Sequence, residues 1–183
     1  MVQKGDNLEL DIVELLLRGP SHVRGIAKAL SEPHTTVLRK LNDLTNDNII
    51  ESKTEGRNRV FALRDNLICR NFILQAELNK LTKLVSKHPE LSIIIDDILK
   101  HTDDQMIILF GSYAKGLEKK DSDIDIYVET TNRKTKKTIE ELYPRLSVKI
   151  GTFEKASPLI REIIKDHVII KGFEAFYEKQ VLG

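Results

Sequence analysis

MIILFGSYAKGLEKKDSDIDIYV, residues 106–128, is the stretch that decides how the rest of the chain is read. An apolar run, Met106–Phe110, enters the pair Gly111-Ser112, and after ten intervening residues a second β-rich run carries Asp123 and Asp125. In a strand, side chains two apart point to one face, so these aspartates project together while Ile124 and Ile126 turn into a core. Two carboxylates that close repel each other unless one is protonated or a cation sits between them. Hard oxygen ligands of this kind suit Mg²⁺, which keeps several waters and binds substrate phosphates as well. Gly111 lets the backbone turn sharply, and a helix starting near Ser112 would offer its free N–H groups and the hydroxyl to an anion. Either feature alone is common: Gly-Ser after a strand is usually a turn, and Asp-x-Asp is usually a solvated face or a cap. Their order and spacing together point to a metal–phosphate platform.

With these residues in this order, the segment resembles the nucleotidyltransferase superfamily that includes DNA polymerase β, in particular its small minimal members. Gly111, Ser112, Asp123 and Asp125 match the signature, as do the accessory Tyr113-Ala114, Gly116 and Ser122, and the resemblance runs from about residue 103 to 170. It implies a mixed β-sheet backed by helices. It also implies a nucleoside triphosphate, ATP foremost, held at Gly111, Ser112 and Ser122, with Mg²⁺ on the catalytic pair Asp123 and Asp125. The family moves a nucleoside monophosphate onto an acceptor hydroxyl and releases pyrophosphate, with metal ions clamping the attacking and leaving oxygens. One departure matters. The family's third carboxylate lies on a following strand, here about Leu146–Phe153, where Lys149 alternates with Val148 and Ile150. Glu154, just past that strand, is the nearest acid in sequence. The gap weakens the case for turnover more than the case for nucleotide binding. Lys149 either contacts a phosphate or is a solvated strand residue, the commoner state.

The 183 residues allow one large domain or two small ones. A formal charge of +1 excludes a globally basic nucleic-acid coat, so any such binding must come from a local patch. The single cysteine, Cys69, gives no internal disulfide framework and fits a reducing cytosol; its apolar setting reads as a core thiol. The start has no apolar signal core, and no run approaches the roughly 18 apolar residues of a membrane span. The expectation is a soluble, cytoplasmic protein with no membrane partner.

The first third of the chain reads as three helices and a hairpin. Leu8, Ile12, Leu15 and Leu16 take helical spacing behind Asn7 as an N-cap, and Gly19-Pro20 ends the run. Val23, Ile26, Ala27 and Leu30 follow behind Ser21. After Ser31-Glu32-Pro33, a third helix turns Val37, Leu38, Leu41 and Leu44 inward. Two β-rich runs, 49–54 and 58–63, flank a turn at Glu55-Gly56-Arg57. This order resembles the winged helix-turn-helix fold over residues 5–65. By that resemblance the third helix is the recognition element, presenting His34, Thr35, Thr36, Arg39 and Lys40, while Lys53, Arg57, Asn58 and Arg59 belong to the wing. From Arg24 to Arg64 there are eight basic against five acidic residues, a local surplus of three. Positive side chains would anchor the DNA backbone, and Thr and His near the helix start would reach base edges. Residues 1–66 carry ten basic and ten acidic residues, so tight non-specific binding is not expected. Two copies in a homodimer would raise the affinity.

Residues 65–101 read as helical, with Pro89 opening a second run, and their apolar face is broader than a free linker needs. Beyond residue 128, a basic polar segment with Arg133, Lys134, Lys136 and Lys137 leads into a helix at about 135–145. Pro158–Ile170 reads as a further helix ended by Gly172, and the tail, Phe173–Leu182, is aromatic enough to dock. The fold class is therefore α+β: a winged helix-turn-helix over 1–65, a helical connector over 66–102, and a nucleotidyltransferase-like mixed sheet with flanking helices over 103–183. Two functional readings follow: an Mg²⁺-dependent nucleotidyltransferase brought to DNA, RNA or a protein acceptor, or a transferase fold without turnover that senses nucleotide in a DNA-binding transcriptional regulator.

Overall fold

The computed structural model describes residues 7–56 and 58–181. Arg57 in the expected wing and Leu182 in the tail lie outside the described residues. The chain divides into two compact units, 1–79 and 80–183.

The first unit follows the expected order. Helix α1 (Leu8–Leu17), the two-residue strand β1 (Ser21–His22), α2 (Val23–Leu30) and α3 (His34–Asn46) precede a hairpin of β2 (Ile50–Glu55) and β3 (Asn58–Leu63). The sheet runs β1-β3-β2, antiparallel throughout, with Ser21 opposite Phe61 and Ile50 opposite Leu63. Three helices with this three-stranded sheet make a winged helix. Its interior is the helical stripe read from the sequence: Ile12, Val13, Leu16, Ile26, Val37, Leu41 and Leu44 are buried, and the sheet adds Ile50 and Phe61. Burying each such side chain contributes about 1.5–3 kcal/mol. Asn7 stands at the N-cap of α1, as expected, and the Ser21 cap does not hold. Asn7 makes no capping bond and instead donates from Nδ2 to Asn79 Oδ1 at 2.8 Å. Ser21 is spent on β1, and His22 stands at the N-cap of α2 without a side-chain bond.

Helix α4 (Leu67–Lys87) contains the boundary between the units. Its Cys69 is fully buried, and that burial pushes the thiol up, as expected of a core cysteine. Leu67, Ile68 and Leu78 on the same helix stand exposed.

The second unit holds α5 (Pro89–His101), β4 (Ile107–Phe110), α6 (Gly111–Lys115), β5 (Ile124–Glu129), α7 (Arg133–Glu140), β6 (Leu146–Gly151), α8 (Pro158–Lys165), β7 (Val168–Lys171) and α9 (Phe173–Val181). Its sheet runs β6-β5-β4-β7; β5 and β6 are parallel, joined through α7, and the other pairs are antiparallel. Period-2 alternation sends the strand residues to two apolar layers. Ile107, Leu109, Ile124, Ile126, Val128 and Val148 pack with Leu91, Ile95 and Ile98 of α5. Met106, Ile108, Phe110, Tyr127 and Ile169 pack with Ile160 and Ile163 of α8 and Phe176 of α9. The mixed sheet with flanking helices is the expected architecture.

The expected helix over Pro158–Ile170 is shorter. It stops at Lys165, and Val168, Ile169 and Ile170 form β7, paired with β4. Helical and strand readings of a short apolar run compete in sequence, and the β-branched triplet favours the sheet once β4 offers an open edge. Gly172 does not end a helix. Its φ of +88° and the 2.3 Å that would separate a Cβ from the Gln105 carbonyl oxygen demand glycine.

Candidate active site

The site begins where β4 ends. Phe110, in extended conformation, pairs with Asp125 across the β4–β5 ladder, and Gly111 then turns the chain into α6 at φ +73°. A Cβ on Gly111 would lie 2.2 Å from Asp125 Oδ2, so the space beside this glycine belongs to the carboxylate. Ser112 follows within the first turn of α6. The helix is five residues long and closes at Gly116, with the Leu117 N–H donating to the Ser112 carbonyl.

The strand position read from the sequence holds for Asp125 only. Asp125 lies inside β5, half-buried on the α8 side of the sheet, whereas Asp123 precedes the strand and is exposed. Burial raises the Asp125 carboxyl above the ordinary carboxylate range; a hydrogen bond from Ser147 opposes this, Asp123 and Glu162 add to the rise, and Lys149 offsets it. A carboxylate in that condition favours a bound cation. Two hard oxygen donors beside a glycine-lined turn fit a divalent ion such as Mg²⁺ that takes its other ligands from water and phosphate. Among the described residues, no three acidic, histidine or cysteine side chains converge as a metal cage.

Ser122 holds the loop that delivers Asp123. Its Oγ accepts from the Lys119 N–H at 2.8 Å, and its carbonyl accepts from Arg145, whose guanidinium also donates to the Tyr113 hydroxyl at 2.9 Å. Arg145 thus ties the turn before β5 to α6, a positioning role that the sequence offered no pattern to find.

The strand parallel to β5 brings no acid to the site. Opposite Asp125 stands Ser147, and opposite Tyr127 stands Lys149. Glu154, nearest in sequence, accepts from Thr152 Oγ1 at 2.8 Å and acts electrostatically on Tyr127, whose hydroxyl bonds the Gly151 carbonyl. It therefore belongs to the other end of β6. Two residues missed in the sequence stand nearer. Lys115, the last residue of α6, pairs with Glu162 of α8 at 2.7 Å, and this bond raises the Lys115 ammonium, with Asp166 and Asp125 adding to the effect. Lys115 lies within the Gly-Ser-Tyr-Ala-Lys-Gly signature and was legible there; Glu162 was not, because only tertiary packing brings it in.

In the winged helix, His34, Thr35 and Arg39 are exposed on α3 and Thr36 is half-buried. Lys40 is engaged with Glu9 at 2.7 Å. On the wing, Lys53 stands 3.6 Å from Glu51, while Arg59 donates to Ser52 Oγ at 2.8 Å and covers the Phe61 ring at 5.0 Å.

The fold and the motif define a two-part protein, a winged helix followed by a sheet in which Gly-Ser and Asp-x-Asp meet at adjoining ends of β4 and β5. Residues 91–171 match the family model of the nucleotidyltransferase domain, and the identification belongs to that segment. No curated protein sequence matches the chain. Among solved structures, a homodimeric winged helix-turn-helix DNA-binding domain from Mycobacterium bovis is 24% identical with a TM-score of 0.35, over 45% of this chain and 71% of its own. The adhesin competence repressor of Streptococcus pyogenes is 22% identical with a TM-score of 0.36, over 54% and 80%. A toxin-antitoxin structure with AMP-PNP is 21% identical with a TM-score of 0.34, over 57% and 83%. At these scores the argument rests on the fold and the residues. No helix among the described residues is long and apolar enough to cross a membrane.

Proposed function

We propose that the protein is a metal-dependent nucleotidyltransferase that moves a nucleoside monophosphate from a triphosphate, ATP foremost, to an acceptor hydroxyl, with its winged helix binding DNA. The observation that carries this reading is the seating of Gly111 against the Asp125 carboxylate, because it joins a phosphate-accepting turn to a metal-binding oxygen. Asp123 and Asp125 would hold Mg²⁺, which when bound neutralises phosphate charge and orients the oxygens of an in-line displacement. The Gly111-Ser112 backbone and the Ser112 hydroxyl bind the triphosphate, Lys115 and Lys149 supply positive charge beside it, and Arg145 fixes the loop carrying Asp123. The acceptor oxygen attacks the α-phosphorus, the bond to the β-phosphate oxygen breaks, pyrophosphate leaves, and the hydroxyl proton passes to a base. The winged helix would bring DNA, or an RNA or protein acceptor, to the transferase, and a homodimer would present two such faces.

One observation favours a second reading. Ser147 and Lys149 occupy the strand positions from which a third acid would act, which suits a nucleotide-sensing DNA-binding regulator without turnover. Incubation with each α-phosphate-labelled nucleoside triphosphate and Mg²⁺, with and without nucleic acid, separates the two. Label on nucleic acid or protein, lost in the D123N/D125N variant, supports the transferase. Metal-dependent binding without transfer to any acceptor supports the sensor.

A further inference from the structure

Asp123 stands outside β5, in solvent, yet its main chain is held on both sides. Arg145 donates from Nε to the Ser122 carbonyl before it at 3.1 Å, and the Arg145 carbonyl accepts from the Ile124 N–H after it at 2.8 Å. The loop that leads there from α6 is pinned in the same manner. The Leu117 N–H closes α6 on the Ser112 carbonyl. Residues 119–122 form a turn shut by two bonds, from the Ser122 N–H to the Lys119 carbonyl at 3.0 Å and from the Lys119 N–H to Ser122 Oγ at 2.8 Å. Between these pieces the usual preference is reversed: Leu117 is 71% exposed, and the Glu118 side chain is 9% exposed. Glu118 Oε1 accepts from Lys87 Nζ and from His88 Nε2 where α4 meets α5. The His88 ring meets Tyr113 of α6 edge-on at 5.3 Å, and the Tyr113 hydroxyl accepts from Arg145 at 2.9 Å. These contacts close a ring from Glu118 through His88, Tyr113 and Arg145 back to Ser122, and Asp123 follows at the closing point. A carboxylate this deep keeps its place only while its cations do, since removing one partner of a buried pair leaves an uncompensated charge.

We infer that Glu118 is a positioning residue of the metal site: clamped by Lys87 and His88, it fixes the loop that presents Asp123. The inference rests on the nucleotidyltransferase reading of Asp123 and Asp125. It accounts for a loop that buries its glutamate and exposes its leucine, and for how an aspartate outside the strand is held in place.

The test is a titration with Mn²⁺ alone, free ion being followed by electron paramagnetic resonance, on the full chain and its variants at a temperature where circular dichroism shows each to be folded. Glu118→Gln keeps the shape and removes the charge, and it weakens Mn²⁺ about tenfold, on the scale of losing a group that orients a metal ligand. Lys87→Met separates positioning from charge. Removing an ammonium tightens a cation by charge alone, whereas loss of the clamp weakens it, here several-fold. The Lys87 side chain is 58% exposed, so this variant decides the matter even where Glu118→Gln does not fold. An E118Q protein that binds Mn²⁺ like the wild type overturns the inference, and so does a K87M protein that binds it as tightly as the wild type or more so. Either result leaves the nucleotidyltransferase reading in place. A wild type that binds no Mn²⁺ beyond the level of D123N/D125N removes that reading, and the role of Glu118 with it.

Discussion

In the second unit a glycine at φ +73° leaves room for one carboxylate, and the ladder register sets that carboxylate beside it. In the first unit, His34, Thr35 and Arg39 stand in solvent on a helix whose fold depends on Val37, Leu41 and Leu44. One candidate site is built into the backbone, and the other is laid on a surface. A backbone-bound site fails when a single atom is added or a charge removed, whereas a surface site weakens by increments, one ion contact at a time.

The largest effect expected is in the second unit. Asp123→Asn with Asp125→Asn lowers metal-dependent nucleotide affinity by more than about 100-fold, some 2.7 kcal/mol or more, while the fold and DNA binding persist. Calorimetric titration with nucleotide and Mg²⁺ checks this; undiminished binding would remove the aspartates from the site.

Next come the two strained glycines. Gly111→Ala and Gly172→Ala each force a side chain into a left-handed residue and a filled space, at about 1–3 kcal/mol. Thermal melts should fall for both. Only Gly111→Ala also loses nucleotide binding, because its neighbour is Asp125 whereas that of Gly172 is the Gln105 backbone. Equal binding losses would deny the site its special dependence on Gly111.

The third prediction concerns pH. Glu118 is nine-tenths buried, paired with Lys87 and His88, and Lys87 first among its neighbours holds its carboxyl down to about 2 from an ordinary 4.5. The folded value lies below the unfolded one, so this stabilisation is complete above pH 4.5 and is lost as pH falls toward 2. In melts across that window the wild type loses its advantage over Glu118→Gln; a constant difference would mean the pairing contributes nothing through charge.

The smallest effects belong to the winged helix. Arg39→Ala and Arg59→Ala should each weaken DNA binding a few-fold and reduce its salt slope by about 1, with nucleotide binding unchanged. Lys40→Ala should do less, because Glu9 already neutralises that ammonium. A Lys40 effect as large as that of Arg39 would show that DNA takes the lysine away from Glu9.

The Gly-Ser and Asp-x-Asp signature was legible because it is local. The turn and the strand alternation that places Asp125 follow from chain geometry over some twenty residues, and so does the helical stripe of Ile12, Leu16, Val37 and Leu41. Asn7 was legible as the N-cap of α1 but its bond to Asn79 was not, and Ser21 was not legible as a strand residue bridged to Phe61 instead of a cap. Nor was β7: a Val-Ile-Ile run is helix or strand according to whether an edge is open to it. By itself the sequence determined the order of most elements and the residues of the Gly-Ser and Asp-x-Asp motif, because those depend on neighbours along the chain. Tertiary structure alone decided which acid stands near Asp125. Glu154 is close in sequence and lies at the wrong end of β6, while Glu162 arrives with α8 through the packing of Ile160 and Ile163, and local periodicity carries no information about that contact.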